Sequence, residues 1–183
     1  MSKVSKQLSW LLRHGAKEVK LKVDEAGFVA IKDVLCYLSI VNQELLDIVA
    51  TDNKSRFEIK GDKIRACQGH SMLDAEALEK TWEEYTADAP VWHGTSFNVV
   101  GQILKQGLLP GTRSHVHLAE ELDSTVGKRA NVAVMLKVDP IKVREHGIKL
   151  FKSPNGVILA RTIPADCIVE VVPITRKARQ NLA

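Results

Sequence analysis

The sequence predicts an α+β protein of two lobes, and three observations carry that expectation. Apolar residues recur at helical spacing in three short segments up to Ala50, an alternating segment then folds about Gly61-Asp62, and beyond residue 89 short strand-like runs are separated by Pro and Gly. The lobes are expected at residues 1–88 and 89–183, joined through Ala87-Asp88-Ala89-Pro90.

Residues 2–14 read as one amphipathic helix, with Ser2 as N-cap, Val4, Leu8, Leu11 and Leu12 on the buried stripe, and Gly15 as its end. Arg13 and His14 fall in its last turn, where the helix dipole favours cations by about 0.3–1 kcal/mol and so explains both without a ligand. Asp24–Phe28 is a turn. Ile31, Val34, Leu35 and Leu38 mark a second helix, and Gln43–Ala50 a third with Leu45, Leu46 and Val49 apolar. Phe57 and Ile59 before Gly61-Asp62, and Ile64 and Ala66 after it, predict a β-hairpin.

Three helices followed by a hairpin is the order of a winged-helix unit, which binds nucleic acid in many proteins and is a plain structural module in others. Residues 1–89 carry 13 Lys/Arg against 15 Asp/Glu, which argues against a general DNA-binding surface there. Arg65 and the polar run Gln68-Gly69-His70-Ser71 leave the hairpin at a Gly turn with no evident structural need. Leu73–Tyr85 is acidic and helical in part.

The stretch Trp92–Ala119 concentrates the chemistry of the second lobe. Val91–His93 is a short strand, Phe97, Val100, Ile103 and Leu104 continue at helical spacing, Thr95 or Ser96 is the N-cap and Gly107 the C-cap. A helix entered through Gly-Thr-Ser offers backbone N–H groups beside His93, and Gly94 lets a planar ring or a phosphate approach the main chain. That suits a nucleotide, although a hydrogen-bonded imidazole at a strand–turn junction accounts for His93 equally well. In SHVHLA, alternation puts His115 and His117 on one face and Val116 and Leu118 on the other. His117 comes near His93 if the two strands pair. Farther on, the pattern predicts a short helix at Glu120–Lys128 and a strand at Val132–Val138, then a short helix at Ile141–Glu145. Strands at Lys149–Lys152, Gly156–Ala160 and Ile168–Val172 precede a frayed basic tail over the last eight residues.

Composition sets outer bounds. With 183 residues, 45% of them apolar and 26% charged, the chain has the make-up of a soluble globular protein. No apolar run is long enough to span a membrane and the first residues lack the pattern of a signal peptide, so a cytoplasmic protein is expected, with a monomer as the default. Cys36, Cys67 and Cys167 show no metal-ligand spacing and read as core or near-core thiols, with neither a disulfide framework nor a metal site indicated. The net charge of +4 hides an asymmetry, since residues 90–183 carry 13 Lys/Arg and 7 Asp/Glu.

Five segments in order, LSWLLRHG at 8–15, IRACQGHS at 64–71, WHGTS at 92–96, GTRSHVHLA at 111–119 and NGVILA at 155–160, resemble the RNA 2'-phosphotransferase family. The resemblance implies an N-terminal winged-helix lobe and a C-terminal ADP-ribosyltransferase-like mixed β lobe. It implies an enzyme that consumes NAD+ and whose partner is an RNA carrying a 2'-phosphate, such as a tRNA splice junction. By motif position, Arg13, His14, Arg65 and Arg113 would grip the RNA 2'-phosphate, with Arg113 contributed by the second lobe and the phosphate held between lobes. Guanidinium forks suit a phosphate better than ammonium groups because they bind its oxygens bidentately. His93, Gly94 and Thr95 match the family's NAD+-binding strand, and His117 matches the second His of its signature. Val157, or its neighbour Ile158, stands where many other ADP-ribosyltransferases carry a catalytic Glu. An anionic phosphate nucleophile needs no general base, which makes that absence chemically reasonable.

The implied reaction has two steps. The RNA 2'-phosphate attacks C1'' of the nicotinamide ribose and expels nicotinamide; the ribose O2'' then attacks phosphorus, releasing ADP-ribose 1'',2''-cyclic phosphate and RNA with a 2'-OH. Two alternatives stay open at this point: a transferase that leaves ADP-ribose on a nucleic-acid phosphate or a protein, and a winged-helix nucleic-acid-binding regulator.

Overall fold

A computed structural model describes residues 2–127 and 132–182. The chain is α+β and falls into two compact units. Unit one is Met1–Trp82 with Thr112–Ser114; unit two is Glu83–Gly111 with His115–Ala183. The division comes at Trp82, ahead of the connector expected near Asp88.

In unit one, α1 (Lys3–Trp10) starts as the sequence suggests, with the Ser2 hydroxyl accepting from Ser5 N–H at 3.1 Å. The helix does not run on to residue 14. Leu11–Gly15 is a π-turn in which Ala16 N–H donates to the Leu11 carbonyl, five residues back, at 2.9 Å. The Trp10 ring lies across Gly15, so close that a Cβ there would meet Trp10 Cη2 at 2.2 Å. The wider turn keeps Leu11 and Leu12 buried while carrying Arg13 and His14, both half-buried, on its outer part.

β1 (Val29–Ala30) leads into α2 (Ile31–Leu38) and α3 (Asn42–Ala50), then into the hairpin β2 (Phe57–Lys60) and β3 (Lys63–Ala66). The hairpin is in register across Gly61-Asp62, with Glu58 opposite Arg65 and Phe57 opposite Ala66, and β1 adds antiparallel to the other edge of β3. Leu8, Leu11, Leu12, Val34, Leu45 and Ile64 have no exposed surface and form the core under this sheet. Each such side chain contributes about 1.5–3 kcal/mol by its burial. α4 (Ala75–Glu79) is capped by Asp74 and closes the unit.

Unit two carries two antiparallel sheets. β5 (Val91–Thr95), β7 (Val134–Val138) and β10 (Ile168–Pro173) lie in the order β10-β7-β5, while β4 (Glu83–Glu84), β6 (Val116–Leu118), β8 (Phe151–Lys152) and β9 (Ile158–Ala160) lie in the order β4-β8-β9-β6. A bridge between Trp92 and Ala119, bonded in both directions at 2.8 and 2.7 Å, ties β5 to the end of β6. A short 3-10 turn, Phe97–Val99, precedes α5 (Val100–Gln106), which ends at Gly107. α6 (Pro140–Glu145) begins at an Asp139 cap.

Three expectations need correction. Residues 120–127 are turns and bends rather than a helix, because Gly127, at φ +75°, folds back onto the Leu118 carbonyl where a Cβ would approach to 2.2 Å; Lys128 lies outside the described residues. The basic tail is ordered as α7 (Arg176–Leu182): Ala178 is fully buried, the Thr175 hydroxyl accepts from Ala178 N–H, and Lys177 Nζ sits 5.3 Å from the Phe97 ring centre. Cys67 and Cys167 are buried thiols, but Cys36 is exposed on α2. Among the described residues, no helix is long and apolar enough to cross a membrane.

Candidate functional site

The polar run that leaves the hairpin, Gln68–Ser71, meets the π-turn residue by residue. Gln68 Oε1 accepts from Arg13 Nη2 at 3.5 Å. Gly69, at φ +87°, lies flush under the guanidinium, with its would-be Cβ 3.4 Å from Arg13 Nε and 3.5 Å from Cζ. The His70 carbonyl accepts from Ser114 N–H at 3.2 Å, fastening the segment that carries Arg113. Ser71 N–H donates to the Arg13 carbonyl at 3.1 Å, and its hydroxyl stands 2.8 Å from His14 Nδ1. Arg113 therefore belongs with unit one and not with the second half of the chain.

Electrostatics join the same residues. Burial, then Arg113, then Arg56 bring the Arg13 pKa down to about 10. Burial, followed by Arg13 and Arg113, holds the His14 pKa below its ordinary value, with Glu18 opposing. Arg13 Nε is buried and has no hydrogen-bond partner. A buried donor left unpaired costs about 1–3 kcal/mol, more when charged, so the cluster is stabilised by any anion that completes it. Two neighbouring guanidiniums, one of them with an unsatisfied donor, beside the half-buried His14 ring make this cluster a candidate anion site.

Arg65 stands apart from that trio. It is 6% exposed: its Nε donates to Glu58 Oε2 at 2.6 Å, its Nη1 to the Ala26 carbonyl at 3.0 Å, and its guanidinium stacks 4.7 Å from the Phe28 ring centre. The Asp24–Phe28 turn that supplies both contacts is itself held by Asp24 Oδ1, which accepts from Ala26 and Phe28 N–H. Arg65 meets Arg13 and His14 electrostatically at His70, which is 1% exposed and whose ring nitrogens are buried without partners. Burial, then Arg13, Arg65 and His14 push its pKa down to about 3, so His70 is neutral. Gln68, His70 and Ser71 were legible only as polar residues without a purpose; the structure gives each a neighbour in the cluster.

The second set of expected residues lies in unit two. His93, Gly94 and Thr95 are on β5, His117 on β6, and Val157 is buried immediately before β9. His93 Nδ1 lies 3.0 Å from the His117 carbonyl, beside the Trp92–Ala119 bridge, so the two His-bearing strands are neighbours. Gly94 and Thr95 are buried where β5 pairs with Met135 and Val134 of β7. His115 is 1% exposed rather than sharing an open face with half-buried His117. β6 in turn pairs with β9, placing His117 opposite Leu159 and Leu118 opposite Ile158.

The family model described as RNA 2'-phosphotransferase, Tpt1 / KptA family, matches residues 1–162. A protein of Thermococcus kodakarensis is 34% identical over 178 residues, covering 93% of this chain and 97% of its own length. One from Pseudomonas syringae pv. tomato is 34% identical over 92% of this chain and 93% of its own, and one from Acaryochloris marina is 33% identical over 92% and 96%. All three bear the name "Probable RNA 2'-phosphotransferase". With the match running through both units and through every segment described above, this chain belongs to the RNA 2'-phosphotransferase family.

Proposed function

We propose that this protein removes a 2'-phosphate from RNA, a tRNA splice junction being one source, with NAD+ as the consumed co-substrate. The observation that carries the reading is the cluster of Arg13, His14 and Arg113, in which burial and neighbouring positive charge disfavour the protonated forms of Arg13 and His14, around a buried, unpartnered Arg13 Nε. A phosphate dianion reverses each of those penalties, and forked guanidinium groups match its oxygens. Unit one then acts as a winged-helix lobe, a reading supported by α2 and α3 preceding the hairpin and by β1 paired to its edge.

Unit two acts as the ADP-ribosyltransferase-like lobe. NAD+ supplies the electrophilic ribose carbon and a good leaving group. The residues fit it by their chemistry: Gly94 brings no side chain, and His93 is oriented by the His117 carbonyl, giving two neighbouring strands that present imidazoles to a nucleotide. Val157, buried and apolar, excludes water and offers no base, consistent with a nucleophile that is already an anion.

In the first step NAD+ would supply the ribose carbon to which the 2'-phosphate oxygen bonds as the bond to nicotinamide breaks, and Arg13 and Arg113 would hold the phosphate. In the second, the ribose hydroxyl forms a bond to phosphorus, the bond to the RNA 2'-oxygen breaks, and that oxygen takes up a proton. Charge builds on the phosphoryl oxygens in this second step, so the cations contribute most there. The direct test of the anion site is binding of a short RNA with one internal 2'-phosphate against the same RNA with a 2'-OH. Wild-type protein should prefer the phosphorylated RNA, and Arg13→Ala should lose most of that preference. Equal binding of the two RNAs by wild-type protein would contradict the reading.

A further inference from the structure

Ser71 carries a role beyond the phosphate-gripping residues, resting on the function proposed above. Its backbone N–H is bonded to the Arg13 carbonyl and its hydroxyl to His14 Nδ1, so one residue, distant in sequence, fixes the main chain of Arg13 and the ring of His14. A hydrogen bond at Nδ1 leaves Nε2, on the opposite edge of the ring, as the nitrogen that can face the anion.

We propose that Ser71 is a positioning residue for phosphate transfer, holding His14 so that Nε2 is directed at the substrate phosphate in whichever protonation state the step requires. A hydroxyl suits this task because it donates and accepts. With neutral imidazole, the Ser71 O–H donates to Nδ1 and Nε2 carries its hydrogen toward a phosphate oxygen. With imidazolium, the hydroxyl rotates and accepts from Nδ1–H, and Nε2–H can be given to a departing oxygen. A carboxylate in the same place would hold the proton on the ring permanently and would neutralise the cations that bind the phosphate. Serine leaves His14 under the control of Arg13, Arg113 and Glu18, the charged groups that act on it, and of the arriving anion.

The bond is exposed, and Ser71 itself is exposed, so an added methyl has room and Thr is a conservative replacement. Alanine keeps the N–H to Arg13 and removes only the hydroxyl. The test combines steady-state turnover of 2'-phosphorylated RNA with 15N spectra of the labelled His14 ring, recorded without RNA. Ser71→Ala should lower kcat by about 10–100-fold, the scale at which orienting partners of functional histidines act, with KM for RNA nearly unchanged. Its His14 ring should change from one dominant tautomer to a mixture. Ser71→Thr should recover both properties. A Ser71→Ala protein with wild-type kcat and wild-type ring signals overturns the proposal, as does a Ser71→Thr protein as slow as Ser71→Ala. Wild-type protein inert toward the phosphorylated RNA would fail the functional reading and take this assignment with it, whereas active wild type with unaffected Ser71→Ala fails this assignment alone.

Discussion

Arg13 rests on Gly69: a Cβ at residue 69 would stand 3.4 Å from Arg13 Nε, in van der Waals contact with the guanidinium, and the glycine holds a left-handed φ of +87°. Backbone conformation and side-chain placement are thus the same feature. Gly69→Ala should lower stability by about 1–2 kcal/mol through its left-handed backbone, and the backbone shift that relieves this strain should move the Gln68–Ser71 run relative to Arg13. The expected result is a loss of affinity for 2'-phosphorylated RNA larger than the change in melting temperature explains. Unchanged affinity in a destabilised variant would show that Arg13 is not held by this contact.

Arg113 and Arg65 should behave differently when removed, although the family resemblance gives them one role. Arg113 adjoins Arg13 and His14, so Arg113→Ala should slow the second step more than the first and let RNA carrying ADP-ribose on its 2'-phosphate accumulate. Arg65 is packed on Phe28 and bonded to Glu58 and Ala26, so Arg65→Ala should also unfold more easily, by about 1–3 kcal/mol because Glu58 is partly solvated. Denaturant titration and single-turnover RNA assays on both variants separate these effects. Equal stability of Arg65→Ala and wild type would contradict the structural half of its role.

Acid should destabilise the protein through His70. Its folded-state pKa of about 3 lies below the ordinary 6.5, so the unfolded chain binds the proton first as pH falls. The stabilising term is complete above about pH 6.5 and diminishes down to about pH 3, with a slope of up to about 1.4 kcal/mol per pH unit. His14, also lowered, adds in the same direction. Thermal unfolding of wild type and His70→Phe between pH 4 and 7 should give a shallower pH dependence for the variant. Identical slopes would mean that His70 is protonated in the native state.

His93 is oriented by a main-chain carbonyl of the neighbouring strand, an arrangement that fits a ligand-binding ring. His93→Ala should raise the NAD+ concentration needed for half-maximal turnover by about tenfold or more while leaving binding of 2'-phosphorylated RNA intact. A variant with unaltered NAD+ dependence would remove His93 from the cofactor site.

What the sequence made legible was local. The Ser2 cap, the hairpin about Gly61-Asp62 and the cap at Gly107 follow from residues a few positions apart, and each forms where its pattern lies. The π-turn was hidden because Leu8, Leu11 and Leu12 satisfy an ordinary helix, while the Trp10 ring lying over Gly15, where no Cβ fits, is visible only in the structure. The work of Gln68–Ser71 was hidden for a different reason, since its bonds join residues far apart in the chain, Arg13 and His14 on one side and Ser114 on the other, and no local pattern encodes them. Basic composition suggested a frayed end at Arg176–Leu182, where one buried alanine and a threonine cap suffice for a helix. The grouping of Arg113 with unit one likewise depends on the non-local bond between Ser114 and His70.

The central claim is best tested by incubating the protein with an RNA bearing one internal 2'-phosphate, with and without NAD+, and weighing the products by mass spectrometry. The account predicts RNA with a 2'-OH, free nicotinamide and ADP-ribose cyclic phosphate, all dependent on NAD+. RNA that keeps its phosphate while NAD+ remains intact, or that ends as a stable ADP-ribosylated product, would contradict it.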